Sequence, residues 1–261
     1  MAKFRAARRL YARLMRERYG ARNERSLKMR FHVQTAGSSL TAQQPEVNVV
    51  RTAIEALSAV LGGCQSLHTN SLDEALALPT EAAAKLALRT QQVIAHESGV
   101  TGTIDPLAGS YCIEALTDEI EAGARAYLDK IDALGGMVSA IEAGFPQREI
   151  QTSAYEFQQK VESGEQVIVG VNRYQEDEEP RPLFKLDREA EARRRTDLAD
   201  FRARRDKTRA DEALLALAEV ARAEQNLFPA VLHCVESLAT LGEISDVLRR
   251  QFGTFQERIV I

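Results

Sequence analysis

Apolar residues recur at three- and four-residue intervals in the opening segment, AKFRAARRLYARLMRERYG. Phe4, Ala7, Leu10, Tyr11, Leu14 and Met15 form one stripe, which predicts a helix that leaves at Gly20. The period then shortens, and Arg30 to Thr35 reads as a strand ending in a small-residue turn. Pro45 to Leu61 returns to helical spacing, apolar at Val49, Val50, Ile54, Leu57, Val60 and Leu61, and stops at Gly62-Gly63. A second short strand follows at Gln65 to His68. Pro79-Thr80-Glu81 predicts a helix start with Thr80 as N-cap, running to about Glu97 and ending at Gly99. The turn-rich IDPLAGSYCIEALT opens a helix that reaches Leu134 and halts at Gly135-Gly136. Helices around Val138 to Ala143 and Arg148 to Ser163 come next, and EQVIVGVNRY predicts a third strand. After the acidic, proline-containing stretch from Gln175 to Asp187 lie a highly charged helix, about Arg188 to Ala223, and a final one from Glu243 to Phe252.

Strand and helix alternate in the first half, so the pattern predicts an α/β fold with parallel strands joined by crossovers. Two or three strands are too few to close a sheet. Either a long piece of the fold lies elsewhere, or this chain completes a sheet supplied by another.

Composition narrows the class. At 261 residues, 44% hydrophobic and 28% charged, the chain can bury a sizeable core and is not globally disordered. No apolar run approaches a membrane span, and three scattered cysteines without a CxxC pair argue against a disulfide framework or structural zinc. A reducing cytoplasm is the expected location. Residues 1–30 hold eleven Lys/Arg against two Glu. Aromatic residues of that helix lie on its apolar stripe, which favours a solvated or partner-facing helix over a nucleic-acid reader.

Candidate chemistry gathers where the two strands end. His32 and Gln34 share one side of the first strand, with Val33 on the other; Ser66, His68 and Asn70 alternate with Gln65, Leu67 and Thr69 in the second. In parallel α/β folds ligands sit beyond the carboxyl ends of strands, and Gly37 lets a ligand approach the backbone. These residues are either a wall of neutral hydrogen-bond formers or core histidines beside a turn-forming Asn70. The adjacent acids Asp73 and Glu74 read as helix-start residues before they read as an acid/base pair. No Walker loop, G-x-S-x-G, G-x-G-x-x-G or H-E-x-x-H is present.

Several long strings, in order, carry a resemblance: AKFRAARRLYARL, FHVQTAGSSLTAQQP, GGCQSLHTNSLDEALALPT, LRTQQVIAHESGV, IDPLAGSY, GGMVSAIEAGF and VIVGVNRY. Together they resemble the large, substrate-binding subunit of adenosylcobalamin-dependent acyl-CoA mutases, the family of methylmalonyl-CoA, isobutyryl-CoA and 2-hydroxyisobutyryl-CoA mutases. The resemblance implies the last strands and helices of a (β/α)8 TIM-type barrel over residues 1–174, a linker at 175–187 and a largely α-helical C-terminal extension at 188–261. It implies a radical carbon-skeleton isomerisation of an acyl-CoA thioester. His32, Gln34 and Asn70 would border the substrate, Gly37, Glu74 and Ala77 would meet adenosylcobalamin, and no residue is assigned as a catalyst or as a metal ligand. The family's Asp-x-His-x-x-Gly cobalamin signature matches none of His32, His68, His96 or His233. The implied partners are therefore an acyl-CoA, the N-terminal barrel half and a cobalamin-binding subunit or domain, in a hetero-oligomer without nucleic acid or membrane. Val47 and Ser38 depart from the family pattern, which usually has Asn at the first position and, in methylmalonyl-specific members, Trp at the second. The alternative is a non-catalytic scaffold or interaction module derived from the same fold.

Overall fold

A computed structural model describes residues 1–177, 183–185 and 187–256. The chain forms two compact units, one from Met1 through Phe184 and one beginning at Lys185. Of the stretch read as a linker, residues 178–182 and 186 lie outside the described residues, as do 257–261 of the extension.

In the first unit the elements run α1 (Ala2–Glu17), β1 (His32–Gln34), α2 (Val47–Leu61), β2 (Ser66–His68), α3 (Glu81–Glu97), α4 (Tyr111–Ala133), α5 (Met137–Glu142) and α6 (Phe145–Glu162). β1 and β2 pair in parallel, with His32 opposite Ser66, Val33 opposite Leu67 and Gln34 opposite His68. Parallel neighbours need a crossover, and α2 is that crossover. Thr80 caps α3 by accepting from the Ala83 N–H, and Gly99 leaves it in a left-handed conformation at φ 74°.

Two expectations are corrected in this unit. EQVIVGVNRY is not a strand. Residues 165–174 close a turn in which the Asn172 side chain donates to the Val161 and Gln166 carbonyls and accepts from the Ile168 N–H, with Gly170 at φ 82°. Side chains rather than a neighbouring strand take its carbonyls at Gln166, Val169 and Tyr174, through Asn172, Arg51 and Gln44. The apolar positions read along α2 are not its buried face: Asn48, Thr52, Ala56 and Ala59 are buried, whereas Val50 and Ile54 are 57% and 61% exposed. Small and polar residues at three- and four-residue spacing let this helix approach the strand ends and their loops closely.

Of the two arrangements expected for α1, solvated or partner-facing, its arginine face takes the second, with the partner inside the same chain. Arg5 grips Asp105, Glu114 and Thr117; Arg9 reaches Asp118 and Glu121; Arg13 reaches Glu121; and Arg18 takes Asp132. Arg5 holds Glu114 below the ordinary carboxylate range, aided by the Gly109 N–H. Burial works against the Glu121 carboxylate, yet Arg9, Arg13 and Arg125 keep it lowered as well. Four arginines of the first segment are thus paired with acids around and along α4.

The second unit contains α7 (Arg188–Arg204), α8 (Lys207–Arg222), α9 (Phe228–Glu236) and α10 (Leu241–Phe252). The long helix expected from Arg188 to Ala223 is broken, because Asp206 caps a new helix by accepting from the Arg209 N–H. α9, whose Pro229 sits in its first turn, adds a helix to those expected from the sequence. Ala213, Leu217, Cys234, Ile244 and Val247 form the core of α8, α9 and α10. Arg205 pins the helix break, donating to the Leu238 carbonyl at 2.9 Å and to the Glu243 carboxylate. No helix among the described residues is long and apolar enough to cross a membrane.

Candidate functional site

Side-chain alternation and the parallel register put His32, Gln34, Ser66 and His68 on one face of the strand pair. That face is open and the central Val33 and Leu67 are half-buried, so neither His32 nor His68 is a core histidine. His32 Nδ1 lies 2.7 Å from Ser66 Oγ.

Beyond the strand ends the chain turns inward. Thr35 and Asn70 are buried, and the Asn70 backbone N–H donates to Thr35 Oγ1 at 2.9 Å. Gln34 Nε2 donates to Asn70 Oδ1 at 3.1 Å, joining two of the predicted residues across the sheet. Asn70 Nδ2, in contrast, is buried without a hydrogen-bond partner. An unmatched buried donor costs free energy, so such a group in a site points to a partner that completes it. A Cβ at Gly37 would lie 3.1 Å from this same Nδ2. The absence of a side chain at Gly37 therefore keeps that side of the amide clear.

Glu74 and Ala77 sit on the turn after Asn70. The Glu74 carboxylate accepts from the Ser71 N–H at 2.7 Å, and the Ala77 N–H donates to the Asp73 carbonyl. Asp73 is buried and accepts from both the N–H and the hydroxyl of Thr80 at 2.9 Å. Both acids thus shape their own loop. Gln34, Gly37 and Asn70 come together, His32 shares the strand face with Gln34, and Glu74 and Ala77 lie on the adjoining turn.

The residues that hold these loops lie outside the set expected from the sequence. Thr35 supports Asn70, and Glu55 of α2 accepts the Ala36 N–H at 2.7 Å. Polar residues at the inner positions of an otherwise apolar helix were the available signal. Among the described residues no group of three or more His, Cys, Asp or Glu side chains could hold a metal ion. The arrangement is a polar wall of hydrogen-bond formers beside a buried donor, a chemistry that can bind and orient a ligand.

The profile of the family described as methylmalonyl-CoA mutase matches residues 1–254. The chain is 48% identical to the 2-hydroxyisobutanoyl-CoA mutase large subunit of Aquincola tertiaricarbonis over 260 residues, 98% of this chain and 46% of that protein. It is 47% identical to the methylmalonyl-CoA mutase of Rhizobium meliloti, covering 97% of this chain and 36% of the relative. Against the mitochondrial methylmalonyl-CoA mutase of Homo sapiens the identity is 42%, with 97% and 34% covered. The chain thus spans between about a third and a half of the length of these relatives.

Proposed function

The chain belongs to the methylmalonyl-CoA mutase family, and from that premise we propose that it supplies the C-terminal part of a (β/α)8 barrel in an acyl-CoA mutase. Its partners are the N-terminal barrel part, a cobalamin-binding subunit or domain, and an acyl-CoA thioester whose carbon skeleton is isomerised. Adenosylcobalamin, when bound, supplies the radical chemistry of that rearrangement. The residues here fit such a group: Asn70 Nδ2 is a buried donor without a partner, beside a backbone kept bare at Gly37. This pairing is the observation that carries the reading, because a ligand rich in amide and hydroxyl oxygens satisfies the donor.

The chain's own residues bind and orient. Gln34 holds Asn70 Oδ1 and so leaves Nδ2 directed toward Gly37, while His32 and Ser66 line the polar wall. Gly37, Glu74 and Ala77 form the cofactor side, and water is excluded once the other barrel part covers the face.

The test is reconstitution. The chain is mixed with the N-terminal barrel part of a relative, a cobalamin-binding domain and adenosylcobalamin, then assayed on methylmalonyl-, isobutyryl- and 2-hydroxyisobutyryl-CoA. Isomerised product only in the complete mixture supports the proposal. A folded assembly that binds no cobalamin and turns over none of the three thioesters overturns it.

A further inference from the structure

Asn48 is fully buried in the first turn of α2, and its amide uses its full hydrogen-bonding capacity. Nδ2 donates to the Thr41 carbonyl and to the Leu72 carbonyl, both at 2.9 Å. Oδ1 accepts from the Thr41 N–H at 3.1 Å and from Arg51 at 2.7 Å. Thr41 lies on the loop that carries Gly37. Leu72 lies on the loop that carries Asn70 and Glu74.

We infer that Asn48 is the positioning residue of the site, a clasp that fixes the loop after β1 against the loop after β2. One side chain engages Thr41 as a neighbouring strand would, through both its N–H and its carbonyl, and holds the second loop with its remaining donor. Arg51 extends the clasp. Its guanidinium donates to Asn48 Oδ1, to Thr41 Oγ1 at 3.0 Å and to the Val169 carbonyl at 2.7 Å. Gln44 also donates to the Tyr174 carbonyl at 2.8 Å. The turn at residues 165–174 is therefore docked on the Gly37 loop and held by the same group that orients Asn48. A ligand lying between Gly37 and Asn70 meets a gap whose width this relay sets. That consequence rests on the proposed ligand site, whereas the clasp itself is tested without ligand.

Amide hydrogen exchange on the whole chain separates its parts. Asn48→Asp keeps the acceptor for Thr41 and gains an ion pair with Arg51, but loses both donors. Exchange over residues 69–80 should quicken about tenfold, the worth of one hydrogen bond, while 36–46, which loses the bond to the Thr41 carbonyl but keeps the one from the Thr41 N–H and gains the ion pair, should quicken less. Arg51→Met should loosen 36–46 and 165–174 and leave 69–80 protected, since Asn48 still holds Leu72. Identical patterns in the two variants, or no change in either loop, overturn the clasp. Hydroxocobalamin, titrated by absorbance against the reconstituted assembly, gives the second readout. With the clasp confirmed, Asn48→Asp should weaken binding about tenfold, again one hydrogen bond. Unchanged affinity overturns its positioning role, and a wild-type assembly that binds none overturns the functional reading and leaves the clasp to stand or fall on exchange.

Discussion

The α8–α10 bundle and the loops beyond β1 and β2 are organised on opposite principles. The bundle buries apolar side chains, with Leu217 and Cys234 wholly enclosed. The loop region buries Thr35, Asn48, Thr52, Thr69, Asn70, Ser71 and Asp73, and leaves Val50 and Ile54 of the adjoining α2 in solvent. A core made for stability excludes polar atoms; a buried polar cluster costs more and defines one geometry when its hydrogen bonds are made. The bundle is completed by its own residues except at Ser237 Oγ and, at its edge, Arg205 Nε. The loops are finished except at Asn70 Nδ2, Asp73 Oδ1 and Thr52 Oγ1.

The contrast is broken most forcefully at its apolar end. Leu217→Ala should cost the bundle about 2–5 kcal/mol, through lost transfer and a residual cavity. Thermal melting reads the loss, and exchange over 69–80 should not change. Next in size, Glu121→Gln removes the carboxylate shared by Arg9, Arg13 and Arg125. A cost of roughly 1.5–3 kcal/mol is expected for charged hydrogen bonds, reduced by high salt because the arginines are partly exposed. Denaturant titration at two salt concentrations checks both parts.

A pH titration sharpens the bundle side. Arg205 hydrogen-bonds Glu243 and lowers its pKa from 4.5 to about 2, helped by Thr240 against the cost of burial. A carboxyl with a folded pKa below its unfolded value stabilises fully above about 4.5, and the contribution disappears as pH falls through about 2. Unfolding of α8–α10 followed by exchange should steepen in that window, and Glu243→Gln should flatten it. The smallest effect on stability belongs to Gly37→Ala. Its φ is not left-handed and the new methyl presses only on Asn70, so melting should shift by less than about 1 kcal/mol. Cobalamin affinity in the reconstituted assembly should nevertheless fall; unaltered affinity would separate Gly37 from the ligand.

Much of this contrast was legible in the sequence, for identifiable reasons. Strand alternation placed His32 with Gln34 and Ser66 with His68, because a period of two leaves no choice of face once the register is parallel, whereas Asn70 lies past the strand end and turns inward. Thr80 and Gly99 marked the ends of α3 through local chemistry alone. The errors arose where distant partners decide. The apolar run around Val167 to Val171 has strand composition but turns back on Asn172, and the inner face of α2 is polar because Thr41 and Leu72 require it. Asn48 and Glu55 could not be read as loop anchors until α2 was placed beside those loops.

The α1–α4 pairing also has a consequence for synthesis. The arginines of α1 meet acids 100 to 114 positions further along the chain. At ribosomal rates of about 5–20 residues per second, α1 precedes α4 into solution by roughly 5–20 s. Through that interval its helix carries an uncompensated positive face, and closing so long a loop is the entropic toll on docking. The ion-pair ladder that looks like a static fastening is thus a late event in the life of each new chain, completed only after the site-bearing strands and loops have already been made.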